Sequence, residues 1–324
     1  MAATACACLL TGMGLGLQGQ TCITQAELTA AERGALVDAS QKLSQSVAAD
    51  DTKVLQADIA PQEAGDTGSI LNAVSDVAAK LKGATFTVDE LYLLDATDLK
   101  PHATNARFYC GAFNLPTSAS ITLGSLPLAR YGLVLMHATG IANPQQIAVI
   151  FLEAKAQWKL AGFSSRQLTM AGHDSLWYWK QARVYAGKGE KWNAYFYYAT
   201  ARYLATPVDY LSSTNLEKLM QEQQSAQPSG LPGQLPMHLI ANGQTFEIAQ
   251  METSDALGGL DLVMHYNAKD TNNLTAARRQ NIAVMQAMLQ AHPELKNAFH
   301  GLWVYAVAPG QAPFGIELPM KQIP

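Results

Sequence analysis

The chain has 324 residues, 48% hydrophobic and 15% charged, with a formal net charge of −4. This composition excludes a disordered chain, and the slight negative balance excludes any global attraction to nucleic acid or acidic lipid. The length exceeds what one hydrophobic core usually serves, so two or three domains are expected.

Residues 1–21 carry no charge, and Ala2 to Leu17 is small or apolar. The run is too short and too rich in Gly for a membrane span but suits the apolar region of a secretion signal, so export to the periplasm or the exterior is predicted. Gly19 and Thr21 fit the small-residue cleavage rule before Cys22. No Lys/Arg-bearing leader precedes the run, which is read as a start downstream of the natural one or a trimmed chain. A buried N-terminal helix is the competing reading, opposed by Gln18, Gln20 and the glycines. Gly14, Gly16 and Gly19 match a dinucleotide-binding spacing, but no strand precedes them, so no cofactor is expected.

Removal of the signal leaves Cys22 and Cys110, for which a disulfide is the default in an oxidising compartment. The bond would close a loop of 88 positions and contribute roughly 4 to 5 kcal/mol through chain entropy. A lipid-modified Cys22 is the alternative; Gly19-Gln20-Thr21 lacks the aliphatic residue such a site needs.

Residues 25–57 read as a helix: Leu28, Leu36, Leu43 and Val47 recur at helical steps, and Thr29 with Glu32 forms a capping box. A second helix spans 68–81 and closes at Gly83. Short β-branched or aromatic runs follow at 86–93, 106–113, 120–123, 131–137, 146–153 and 157–165. Helices followed by strands predict an α+β domain over 22–168, with helices on one face of a curved antiparallel sheet. This order, with the closing Glu153-Ala154-Lys155-Ala156-Gln157-Trp158-Lys159-Leu160-Ala161-Gly162-Phe163, resembles the nuclear transport factor-like cone fold over residues 25–166. The resemblance implies a pocket enclosed by helices and sheet. That superfamily holds enzymes, binding modules and dimerisation domains alike.

A helical hairpin module is predicted over 169–226. Its helices span 175–186 and 191–205, with Gly187-Lys188-Gly189 as the turn and Pro207 beyond the end. Ala182, Tyr185, Ala194, Tyr198 and Ala201 fall at spacings that resemble a tetratricopeptide repeat. A further helix over 215–224 starts behind Ser212, Ser213 and Thr214. The Pro/Gly-rich stretch 227–237 reads as a linker. A small C-terminal α+β domain over 238–324 follows, with the order ββαββ: strands at 244–252, 260–266, 302–308 and 314–320, and a helix over 274–291 capped by Asn273.

Chemistry is sparsely marked. No helical His or Glu pairs at four-residue spacing occur, so no metal site is expected. Asp174 beside His173 reads as a helix cap, and no nucleophile elbow is present. His137 on its strand could line the cone pocket; a satisfied sheet histidine is the favoured competing reading. Trp177, Trp179 and Trp192, interleaved with cations such as Lys188, could form a stacking platform, against which stands plain core packing. The expectation is an exported binding or protein-interaction protein that takes an unknown small molecule or protein partner, without nucleic acid, cofactor or transmembrane span. The whole resembles exported bacterial proteins of uncharacterised function. A hydrolase or isomerase with His137 or Glu153 as acid/base groups is the alternative, and an assembly component docking through its hairpin is a third reading.

Overall fold

The chain, described by a computed structural model over residues 21–60, 67–99, 105–111, 118–124 and 127–324, opens on a strand that periodicity does not announce. Apart from Thr21, the expected signal and its glycine motif lie outside the described residues. β1 (Thr21–Thr24) precedes α1 (Ala30–Ala48) and α2 (Thr52–Asp58), which corrects the single helix expected over 25–57. Asp50 and Asp51 are the reason. Asp50 takes a φ of 53°, which ends α1, and the Asp51 carboxylate accepts the Val54 amide, which starts α2. The capping box forms as expected, with Thr29 Oγ1 accepting from the Glu32 amide and Glu32 Oε2 from the Thr29 amide.

α3 (Thr67–Leu81) leads into β2 (Thr85–Asp95), β3 (Asn105–Cys110), β4 (Ala119–Gly124), β5 (Arg130–Thr139), β6 (Gln145–Ala154) and β7 (Gln157–Gln167). With β8 (Leu211–Ser213) these strands form a curled eight-stranded sheet of order β7-β6-β5-β2-β1-β3-β4-β8. The expected all-antiparallel sheet is corrected at β1, which runs parallel to β3, with Thr21 opposite Tyr109. Cys22 and Cys110 are disulfide-bonded across this seam, with their Cα atoms 5.0 Å apart.

Both faces of the sheet are covered, which is why β6 is buried along eight consecutive residues instead of alternately. On the helix side Leu36, Leu43, Leu81, Leu93, Val134 and Phe151 pack into one core. On the other side Phe108, Ile121, Tyr131 and Leu133 pack with Val208 and Leu211, which come from beyond residue 168.

α4 (Ser175–Gly187) and α5 (Lys191–Ala205) pack against each other, and α6 (Thr214–Ser225) packs on α5. The second sheet comprises β9 (Met237–Ala241), β10 (Gln244–Ser254), β11 (Asp261–Asn267), β12 (Gly301–Val307) and β13 (Phe314–Pro319), in the order β13-β12-β11-β10-β9. α7 (Leu274–Ala291) connects β11 to its parallel neighbour β12. The expected ββαββ order is therefore corrected to βββαββ. The missed strand ends at Asn242-Gly243, both at positive φ, a two-residue hairpin turn joining β9 to β10.

One core serves α4, α5, α7 and the second sheet: Tyr178, Phe196 and Tyr197 pack with Met264, Met288 and Leu302. Asn193 Nδ2 donates to the Glu294 carbonyl at 3.0 Å, and the Tyr197 hydroxyl donates to the Ala298 carbonyl. Within the stretch expected as a linker, Pro228 is buried and Leu231 packs against this same core. Among the described residues no helix is long and apolar enough to cross a membrane.

Candidate ligand-binding cavity

The chemistry of the first sheet gathers where β2 departs from regular pairing with β5. Val88 stands opposite Met136 and Glu90 opposite Leu135, leaving Asp89 as an extra residue in a β-bulge. A bulge re-aims side chains, and here Asp89, Glu90 and Tyr92 all line the same cavity as His137. That cavity, of about 380 Å³, opens on the face of the sheet away from α1 and α3. Leu204, Pro207 and Leu211, from the end of α5 and the segment into β8, supply its apolar wall.

His137 Nε2 lies 3.8 Å from Asp89 Oδ2, and His137 is about one-third exposed, so the pair is reachable from solvent. The Tyr92 hydroxyl donates to Glu90 Oε2. Burial, reinforced by the carboxylate it serves, pushes the Tyr92 hydroxyl well above the ordinary tyrosine range, so it stays a proton donor. Gln146, buried and opposite His137, donates to the Leu204 carbonyl at 2.7 Å and the Gln167 carbonyl at 3.1 Å, which ties the α5 wall to the sheet. Among the described residues neither Asp89 nor Glu90 pairs with a Lys or Arg. The cavity therefore carries two carboxylates beside one imidazole and a phenol. That set can hold a cation or exchange protons.

The other expected site residues do not join His137. Trp177 stacks on His173 with ring centroids 3.6 Å apart, and Trp179 Nε1 donates to Glu222 at 2.8 Å with Arg183 over its ring. Trp192 is 4% exposed, set between Phe196 and His292, and leaves no free face for stacking. Lys188 is exposed beside Tyr185. Glu153 is bound by Arg130, which also holds Glu32, and it is not among the residues lining this cavity. Asp174 caps α4 through the Trp177 amide, as expected.

A second polar cluster, in the C-terminal sheet, was invisible to spacing arguments. The donor atoms of Asp261, His300 and Glu317 lie within 4.8 Å of one another, the one such metal-competent group among the described residues. Burial raises the carboxyl pKa of both acids; His300 partly offsets this for Asp261, and Asp261 adds to it for Glu317. Sequence reasoning found His137 but missed Asp89 and Glu90; the signal that could have found them is two consecutive acids, which break the alternation of the strand. No protein-family model, no curated protein and no solved structure matches this chain, so the functional reading rests on these geometries.

Proposed function

We propose that this is an exported binding protein whose ligand is a small molecule carrying a positive charge on an apolar body. The observation behind this reading is the juxtaposition of Asp89 and Glu90 at the bulge in a cavity walled by Leu204, Pro207 and Leu211 and lined by no Lys or Arg; Arg33 shares a separate hollow with the two acids and forms no ion pair with either among the described residues. A cationic group would complement the carboxylates, and the apolar wall would bury the rest of the ligand. The closed Cys22–Cys110 bond supports residence in an oxidising compartment. In this reading the first sheet with α1 to α3 is a variant of the nuclear transport factor-like cone, supported by the helices-then-strands order and the curl of the sheet. The α4 and α5 pair is tetratricopeptide-like, supported by the full burial of Ala182, Ala194 and Ala201.

A second reading, a hydrolase or isomerase, is favoured by the approach of His137 to Asp89, the pairing a general base needs to be oriented. Titration of a series of alkylamines into the parent and an Asp89→Asn/Glu90→Gln variant tests the binding reading. Loss of both charges is expected to weaken amine binding by roughly tenfold or more, about 1.4 kcal/mol. Equal affinity of parent and variant would remove the basis for a cationic ligand. A substrate turned over by the parent and not by His137→Gln would favour the enzymatic reading instead.

A further inference from the structure

Asp261 opens β11, His300 directly precedes β12, and Glu317 lies on β13. Because β12 runs between β11 and β13, strand order alone brings the three side chains to one end of the sheet. The register agrees, with Asp261 opposite Gly301 and Glu317 opposite Trp303. His300 Nδ1 stands 3.0 Å from Asp261 Oδ1.

That contact alone would pass for an ordinary histidine–aspartate hydrogen bond. Two features go beyond it. Asp261 is completely buried, yet its Oδ2 has no hydrogen-bond partner, and Glu317 Oε1 is equally enclosed and unpartnered. Among the described residues neither acid forms an ion pair with Lys or Arg. Two neighbouring carboxylates, one wholly buried and each with an enclosed oxygen left unpartnered, share a single imidazole as their only nearby basic group among the described residues, an arrangement that a bound cation or a proton would relieve. The backbone also leaves space for the cluster. A side chain at Gly301 would meet Glu317 Oε1 at 2.6 Å and Asp261 Oδ1 at 3.0 Å, and one at Gly259 would collide with the His300 side chain.

We propose that Asp261, His300 and Glu317 bind a divalent first-row transition ion of the Zn²⁺ or Mn²⁺ class. An imidazole nitrogen with two carboxylate oxygens is a donor set these ions accept, whereas Ca²⁺ and Mg²⁺ prefer oxygen alone. Donors each about 2.1 Å from an ion stand about 3.0 Å apart in six-coordinate and about 3.4 Å apart in tetrahedral geometry, and the three donor atoms, all within 4.8 Å of one another, can reach either with small side-chain shifts. The half-exposed His300 imidazole gives the ion a way in and leaves coordination positions for water. The site is independent of the cavity beside His137.

The test is Zn²⁺ binding to the chelator-treated full chain, read by calorimetric titration and by melting temperature with and without the ion. Parallel titrations use Mn²⁺, Ca²⁺ and Mg²⁺, with Glu317→Gln and His300→Asn as variants. Stoichiometric Zn²⁺ or Mn²⁺ binding is expected to raise the melting temperature of the parent, with affinity at least tenfold lower in each variant. Glu317→Gln removes one of two acids that share a single imidazole, so it folds with unchanged or higher stability in chelator; this separates loss of the ion from loss of the fold. No binding of either ion, affinity unchanged in both variants, or equal preference for Ca²⁺ would overturn the proposal. A chelator-treated protein that Glu317→Gln stabilises and Zn²⁺ does not would assign the cluster to a shared proton instead.

Discussion

The seam at β1 gives the sharpest stability prediction. Among the described residues β1 is four residues long and stands between β2 and β3, so it joins the β7-β6-β5-β2 half of the first sheet to the β3-β4-β8 half. Among the described residues its pairing with β2 covers four registered residues and its pairing with β3 covers Thr21 and Tyr109. The Cys22–Cys110 bond crosses the β3 side covalently. For a separation of 88 positions the chain-entropy relation gives about 4.6 kcal/mol, a lowering of the melting temperature by roughly 10 °C or more for a Cys22→Ala/Cys110→Ala variant. The loss is also expected to be local. Hydrogen exchange read by mass spectrometry should show the amides of β3 and β4 exchanging faster, while those of β5 and β6, buried on both faces, keep their protection. A variant melting within about 2 °C of the parent, with unchanged exchange in β3, would refute the claim that this bond holds the seam.

Three further outcomes follow from the packing. A Cβ at Gly132 on β5 would collide with Leu36 Cδ2, and Leu36 is fully buried under α1; Gly132→Ala should therefore cost about 1–3 kcal/mol in a denaturant titration. Glu222 joins α6 to α4 by accepting from Arg183 and Trp179, and the Arg183 bond holds its carboxyl below the ordinary range. Because the folded pKa is lowered, this stabilisation is complete above about pH 4.5 and is lost as pH falls through the folded value. Glu222→Gln should thus lie about 1–2 kcal/mol below the parent at neutral pH, with the gap closing in acid; a gap constant down to pH 3 would contradict the assignment. Trp192→Ala, which empties a buried site, should cost about 3–5 kcal/mol, whereas a stacking platform would lose ligand affinity with little change in melting temperature.

The strands of the first sheet were legible because Leu91 to Leu94, Tyr131 to His137 and Ile147 to Leu152 are apolar runs with turn residues between them. The helix caps at Thr29, Asp174 and Asn273 were legible because a side-chain oxygen before an apolar repeat has a local task. β1 and β8 were not, since four and three residues carry no period and exist only by pairing with distant strands. β9 could have been read from Asn242-Gly243, a hairpin signal hidden behind the proline-rich stretch. Asp261, His300 and Glu317 are separated by 39 and 17 positions, and the parallel crossover through α7 and the antiparallel β12–β13 pairing together bring them to one place. The helix-spacing criterion for metal ligands cannot detect a site built across strand ends.

The most direct test of the account is native mass spectrometry of the protein recovered from its natural host, with no compartment chosen in advance. The account predicts a chain beginning near Cys22, with the Cys22–Cys110 bond closed and a basic small molecule retained by the parent but not by Asp89→Asn/Glu90→Gln. A reduced Cys22 in an unprocessed chain, or an acidic ligand held equally by both proteins, would contradict it.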